Sequence, residues 1–539
     1  MAEQPTYYIT TAITYPNGEP HIGHAYEYIS ADVMARFKRL DGYETFFLTG
    51  TDEHGQKVQQ NAEAQGLTPK ELVDQNAAVF KQVDDEVLNI SYDRFIRTTD
   101  TDHYEASQAI WRRMVEAGDI YLDKYSGWYS VRDEAFYAES ETEVREDGER
   151  YSKETNTEVH WVEEESYFFR LSAYQDKLLK FYADNPDYGG PRSRFNEVIR
   201  FVENGLNDLS ISRTTFDWGV PVPKDLTESE TSLDHVMYVW VDALTNYLTG
   251  VGFPNTDSES FAKFWPADLH LIGKDISRFH CIFWPAFLMS AGIELPKRVI
   301  IHGHLHNAGV KMSKSIGNVV APSAWVDTYG LDPVRFFLLR EFPYGQDGSY
   351  THEAVVGRKN SDLANNLGNL AQRSLSMIAK NCQGAIPEPG QLTEADQAIL
   401  EQASSLLETS RKAYEVQEFH KALERTWHVL GETNAYFAEA APWKLAKGDA
   451  AEQQRMRTVL YVTAEVIRRV ALLIQPVIPD SATKLLDALA VEASGDAGAT
   501  NASNTGPRSF AAFGDALVPG TPIAKPQPIF PRHEEKEDA

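Results

Sequence analysis

Cysteine is almost missing from this 539-residue chain: there are two, Cys281 and Cys382, far apart in sequence and in no His/Cys cluster, His280 alone adjoining Cys281. That excludes a disulfide framework and a tetrahedral structural zinc, each of which needs clustered ligands, and it suits a reducing, cytoplasmic setting. No apolar run is long enough to span a bilayer, so no membrane partner is expected. The opening Met1-Ala2-Glu3-Gln4-Pro5 lacks the basic and apolar parts of a secretion signal. Basic residues are scarce as well: 51 Lys and Arg against 79 Asp and Glu leave a net charge of −28. A polyanionic partner would therefore need a local basic surface, for which Lys314, Arg335, Arg340, Arg358, Lys359 and Arg373 are candidates. The acid excess fits either a high-salt interior or an ordinary acidic protein, and activity at rising salt separates the two. The length accommodates about two to four domains.

What is present starts with Tyr7-Tyr8-Ile9-Thr10-Thr11-Ala12-Ile13, a β-branched and aromatic run that reads as a buried strand. A turn follows, with Pro20 placed to enter a helix, then His21-Ile22-Gly23-His24. Ile22, Ile29, Val33, Phe37 and Leu40 recur at helical spacing, so strand, loop and helix form the first unit of an α/β fold. The two histidines are three apart and share one face of the first turn, beside unpaired backbone N–H groups and the positive end of the helix dipole, where phosphate binds well. Gly23 lets a base or ribose approach the backbone. Such a pair on a surface helix is usually solvated; the full tetrapeptide at a strand-to-helix turn favours a phosphate site.

A second signature, Lys311-Met312-Ser313-Lys314-Ser315, follows the strand-like Val299-Ile300-Ile301 and His302-Gly303-His304. Gly309 and Gly317 flank it, as expected of a mobile loop at a sheet edge. Two ammonium groups there reach a triphosphate and neutralise a departing pyrophosphate, so the two signatures together predict a split ATP site.

These two motifs resemble the hallmarks of class I aminoacyl-tRNA synthetases, and the chain from Tyr7 to about Arg532 resembles the methionyl-tRNA synthetase family in particular. Thr49-Gly50-Thr51-Asp52-Glu53-His54-Gly55 is similar to the family's segment after the second strand, which implies that Asp52 holds the substrate's α-ammonium. The resemblance also implies a methionine pocket made by Ala12, Ile13, Tyr15, Trp240, Leu244, Tyr247, Ile276, His280 and Trp284; Leu244 stands where the family often has proline. Ile276, His280 and Trp284 are four apart and fall on one helical face; His280 either orients Tyr15 or reads the sulfur. Aromatic walls suit a thioether, and a polar reader matters because one methylene in an apolar pocket discriminates only about 10 to 200-fold. For ATP, the family pattern implies His21, Gly23, His24, Gly273, Asp275 on the ribose, backbone near Leu305 on the adenine, Lys311 and Lys314, with His21, His24, Lys311 and Lys314 as the catalytic set. The implied reaction is attack of the methionine carboxylate on the α-phosphorus, then transfer to a tRNA terminal ribose, with Mg²⁺ accompanying ATP and no covalent nucleophile.

The fold class this implies is α/β: a Rossmann-like parallel-sheet catalytic domain split by an insertion and followed by an all-α helical bundle. The expected divisions are 1–118 for the first catalytic half, 119–234 for the insertion, 235–300 for the second half, 301–357 for the lysine loop and stem-contact region, 358–532 for an anticodon-binding bundle with 492–506 disordered, and 533–539 for an acidic tail. Many family members carry zinc knuckles in the insertion; here Tyr129 and Arg132 occupy ligand positions, which points to the zinc-free branch and to no protein-bound metal. In the bundle, Met456, Leu460, Ile467, Val470 and Ile474 make an apolar stripe. The family's two anticodon-reading segments match Asn369 to Arg373 and Ala441-Pro442-Trp443-Lys444, implying Asn369, Arg373, Pro442 and Trp443 as anticodon contacts. The implied partners are L-methionine, ATP and tRNA(Met), initiator tRNA included, acting on a monomer. Two other readings are a nucleotidylyltransferase for a small metabolite, which would lack the bundle, and an inactive tRNA-binding homologue, which would have lost His21, His24, Lys311 or Asp52.

Overall fold

β-branched and aromatic residues concentrate in short runs, and five strands that hold such residues pair in parallel with a sixth made of two glycines: β1 (Thr6–Thr11), β2 (Glu44–Thr51), β3 (Arg94–Arg97), β4 (Gly189–Gly190), β5 (Leu269–Gly273) and β6 (Val299–His302), in the order β3-β2-β1-β5-β6-β4. The structure is a computed structural model that describes residues 4–133, 135–227, 231–307, 309–311, 319–493 and 506–534, with backbone alone at 125, 135, 136, 164, 227, 310 and 311. Met312 to Ser315 with Lys314, Gly317, most of 492–506 and the end of the acidic tail lie outside the described residues.

Alternation along the strands sends side chains to two faces. Tyr7, Ile9, Phe47, Leu269, Leu271 and Ile300 turn towards helix α1 (Ile22–Leu40), which buries residues around most of its circumference. Tyr8, Leu48, Ile272 and Ile301 turn the other way, onto α2 (Thr101–Glu116) and α3 (Val239–Thr249). Parallel strands require crossovers, and the one that joins the halves contains the insertion. Its main feature is an antiparallel pair, Ile120–Ser130 with His160–Phe169, in register from Ile120↔Phe169 to Tyr129↔His160. Within the same stretch, Gly189 and Gly190 add an edge strand to the parallel sheet. The turn after Tyr129 is closed by Asp133, which accepts hydrogen bonds from Tyr137, Thr155 and Thr157.

The C-terminal part is helical: α4 (Leu331–Glu341), α5 (Asn369–Asn381), α6 (Phe419–Ala440) and α7 (Ala450–Ile474). The expected stripe Met456, Leu460, Ile467, Val470 and Ile474 is buried, and its core is continuous with the α1 side of the sheet. Phe37 of α1 stacks on Tyr414 at 4.0 Å between centroids, a pair worth about 0.5–1.5 kcal/mol beyond its buried area.

Arg335 corrects the expected basic surface. It is fully buried, bonding Asp32 at 2.5 Å and the carbonyls of Leu88, Pro476 and Val477, so it ties α1 to the bundle instead of facing a phosphate chain. The reason is local: the Asp32 carboxylate, held far below its usual pKa range by Arg36 and Arg335 against its own burial, needs that charge. Arg358 is paired with Glu341 and Asp362, and Lys359 donates to Tyr329 O at 2.9 Å.

Candidate active site

The sheet order reverses between β1 and β5, and the crevice beyond their C-terminal ends is where an open parallel sheet gathers ligands. Ala12, Ile13 and Tyr15 leave β1 at that point, and Gly273, Asp275 and Ile276 leave β5. The β1 loop is fastened to the end of β2: Thr14 N–H donates to Gly50 O and Asp52 N–H to Thr14 O, both at 2.9 Å. This brings buried Asp52 beside the loop that carries Ala12 and Tyr15.

His21 and His24 head α1, and they cap it with their own rings. His21 Nδ1 accepts from the backbone N–H groups of Gly23 (3.1 Å) and His24 (3.4 Å), while His24 Nδ1 accepts from His21 N–H at 3.2 Å. The rings stack at 3.7 Å. An N–H can only donate, so Nδ1 is the bare nitrogen of each ring and the proton sits on Nε2. Unpaired first-turn amides are expected to favour phosphate; the Gly23 and His24 amides are instead taken by the His21 imidazole, so the donors on the two rings are the Nε2–H groups. Gly23 serves this arrangement, since a Cβ there would lie 2.9 Å from His21 Cε1.

The lysine segment reaches the same place through its backbone. Val310 and Lys311 pair with Asn307 and His306, beside the strand Leu305–Asn307 that also pairs with Gly348–Tyr350. On the far side of the undescribed residues, Val320 O accepts Ile22 N–H at 3.0 Å. The described backbone on either side of residues 312–318 thus lies at the strand Leu305–Asn307 and at the first turn of α1.

The side chains expected to form the amino-acid pocket are mainly aromatic, with one histidine among them. Buried His280 donates from Nδ1 to Ile276 O at 3.0 Å, and burial holds its pKa down to about 4, so its Nε2 is bare and accepts from Tyr247 OH at 2.6 Å. His280 therefore orients Tyr247. The expectation that it orients Tyr15 is not met, because both its nitrogens are taken and the Tyr15 ring packs towards Val58, Leu72 and Val73. Tyr247 lies 6.1 Å from fully buried Trp284, and Trp240 stacks on Phe279 at 3.8 Å with its edge towards His280. Leu244 is buried on the same helix as Trp240 and Tyr247. A cavity of about 610 Å³ extends from Trp240, Asp275 and Ile276 to Tyr137 and Phe201 of the insertion.

Sequence reasoning missed two networks. Glu27 of α1 accepts from Ala12 N–H at 2.7 Å and pairs with His302 Nε2 at 2.8 Å, while His302 Nδ1 donates to Gly303 O. With acceptors at both nitrogens His302 is an imidazolium, and its pKa is raised by Glu27 and the Gly303 carbonyl against the opposing effect of burial. The second network joins His54, Asp242 and His103 in the core. Just beyond β5, Asp275 is paired with His304 at 2.7 Å, and Asp347 holds Lys274 at 2.7 Å. Among the described residues, no group of three histidine, cysteine or carboxylate side chains is placed to hold a metal.

In the bundle, the Arg373 guanidinium lies over Phe437 (5.1 Å) and Trp443 (5.5 Å). Trp443 is 40% exposed, Asn369 is exposed one turn before Arg373, and Pro442 is buried. Ala441 turns the chain through a left-handed conformation (φ 42°), which a non-glycine residue holds at a cost of about 1–3 kcal/mol.

Residues 7–375 match the family described as class I tRNA synthetases (M), and residues 386–539 match the anticodon binding domain of methionyl tRNA ligase. The methionine–tRNA ligase of Mycobacterium bovis is 60% identical over 529 residues, 98% of each chain. That of Brucella suis biovar 1 is 60% identical over 533 residues, 99% of each chain. A solved structure of Mycobacterium tuberculosis methionyl-tRNA synthetase in complex with methionyl-adenylate is 60% identical, covers 98% of this chain and 100% of that one, and matches with a TM-score of 0.93.

Proposed function

The chain belongs to the methionyl-tRNA synthetases of class I, and from that premise we propose how its residues divide the work. Its activity is methionine–tRNA ligation: methionine and ATP give methionyl-adenylate and pyrophosphate, and the methionyl group passes to tRNA. Asp52 holds the α-ammonium beside Ala12, Ile13 and Tyr15. Trp240, Leu244, Tyr247, Ile276, His280 and Trp284 enclose the side chain. The observation that carries this assignment is the Tyr247–His280 hydrogen bond inside an aromatic wall, one loop away from a buried carboxylate. Neutral His280 accepts the Tyr247 hydroxyl proton, which fixes that ring in the wall and places no charge against a thioether sulfur.

At the other end, His21 and His24 donate Nε2–H to phosphate oxygens, Gly23 keeps their rings in place, and Gly273, Asp275 and the backbone at Leu305 receive the nucleoside. Lys311 and Lys314 stabilise charge as it develops on the leaving pyrophosphate. The substrate is ATP with Mg²⁺, the ion carried by phosphates and water. This fits a phosphate site whose protein groups are hydrogen-bond donors. Asn369, Arg373 and Trp443 read the anticodon of tRNA(Met), initiator tRNA included, and buried Pro442 shapes the turn that presents Trp443. The division at 118/119, 234/235, 300/301, 357/358 and 532/533, a cytoplasmic location and a monomeric state complete the proposal. Among the described residues no helix is long and apolar enough to cross a membrane.

Two substitutions test the roles. Asp52→Asn should raise the methionine KM in ATP–pyrophosphate exchange while leaving the ATP KM in place. Lys314→Ala should slow exchange far more than it weakens methionine binding, and an unchanged rate refutes its role.

A further inference from the structure

Helix α3 carries the pocket wall on one side and a buried carboxylate on the other. Trp240, Leu244 and Tyr247 face the pocket; Asp242, two residues beyond Trp240, points away from it, as that spacing on a helix requires. Its side chain is 1% exposed and receives one histidine on each oxygen: His54 Nδ1 at 2.6 Å and His103 Nε2 at 2.7 Å. The far nitrogen of each imidazole is also anchored, His54 Nε2 on Tyr104 OH at 2.9 Å and His103 Nδ1 on Thr249 Oγ1 at 3.0 Å. The two histidines hold the carboxylate ionised at a pKa of about 2 in spite of its burial.

His54 lies two residues after Asp52, in a segment secured residue by residue. Asp52 N–H is bonded to Thr14 O, and the Glu53 carboxylate receives Arg97 at 2.6 and 2.9 Å with Thr51 and Thr99. Gly55 N–H is bonded to Trp218 O at 3.1 Å. The segment that presents Asp52 and the helix that presents Trp240 and Tyr247 are thus each stiff in themselves, and the His54–Asp242 bond joins them directly. A charge-assisted bond in a dry interior is short and strong, which makes it a ruler between two rigid parts.

We propose that Asp242 is a specificity-determining positioning residue: through His54 and His103 it fixes the distance between the ammonium end and the thioether end of the pocket, and so sets the side-chain length accepted. The inference rests on the methionine reading of the pocket. An apolar wall alone rejects one extra methylene weakly, so rejection depends on how far the two ends can separate. His54, His103 and Asp242 touch no reacting atom; they act through Asp52 and Trp240.

The test is ATP–pyrophosphate exchange by the full chain with L-methionine and with L-ethionine, which is one methylene longer at the thioether end. Methionine-dependent exchange by the unsubstituted chain checks the underlying reading, and the variants check the ruler. His54→Leu should lower the methionine-to-ethionine ratio of kcat/KM by about fivefold or more, with the ATP KM changed by no more than about twofold. His54→Asn, whose amide nitrogen stands where Nδ1 stood, should restore the ratio. Asp242→Asn keeps the shape while removing one acceptor, and it should lower the ratio too, which covers the case in which His54→Leu does not fold. An unchanged ratio in a folded variant, or an equal fall for methionine, ethionine and ATP, overturns the proposal.

Discussion

Single residues shape the proposed ATP end: His21 and His24 spend their Nδ1 atoms on capping the helix, and the proposed phosphate donors are their Nε2–H groups. Gly23→Ala places a methyl 2.9 Å from His21 Cε1 and must displace that ring. Loss of one positioned phosphate donor costs about 100-fold or more in turnover where charge develops. Steady-state exchange should show that loss with an unchanged methionine KM, and a normal rate would show that the ring position does not matter. His302 supplies a stability prediction. Its folded pKa is raised above the ordinary 6.5, so its pairing with Glu27 stabilises fully below that value and is lost as pH rises through the folded one. The melting temperature should fall on that alkaline side, and His302→Gln should flatten the slope; an identical slope contradicts the pairing. The histidine pair of α1 was legible in sequence because its spacing is local. Glu27 and His302 are 275 positions apart, and nothing in the local spacing around His302 points to a carboxylate on α1. The same holds for His54, seen in its motif without a role, because its partner Asp242 comes from another helix.

At the scale of elements, the switch between β1 and β5 explains why pocket residues from distant stretches meet, and strand and helix periodicity announced most of those elements. Periodicity also announced the bundle, though not its reading surface: Asn369 and Arg373 look like any exposed face, and family resemblance alone singled them out. The structure adds that Arg373 covers Trp443 across α5 and the turn after α6. A stacking contact to one base is worth about 1–3 kcal/mol. Trp443→Ala should therefore lower kcat/KM for tRNA charging by about tenfold or more while exchange is unaffected. Equal charging by the variant would remove Trp443 from the interface.

For the whole molecule, sheet and bundle share one core, and Arg335 fastens it at the place where α1 meets the Pro476–Val477 turn. Sequence placed Arg335 on a basic surface because charge alone does not reveal a buried partner on another element. Arg335→Met leaves Asp32 buried without its main interdomain partner, so denaturant unfolding should show a loss of about 3–5 kcal/mol; an unchanged midpoint would assign the junction to apolar packing alone. Under the proposed assignment, a net charge of −28 is compatible with a tRNA partner because base contact is confined to a few side chains such as Arg373 and Trp443. The His21–His24 turn and the lysine segment are proposed to close one ATP site around methionine. ATP–pyrophosphate exchange with a panel of amino acids tests it most directly: strong exchange with methionine and little with leucine or isoleucine is predicted, and no exchange with methionine, or equal exchange with leucine, contradicts it.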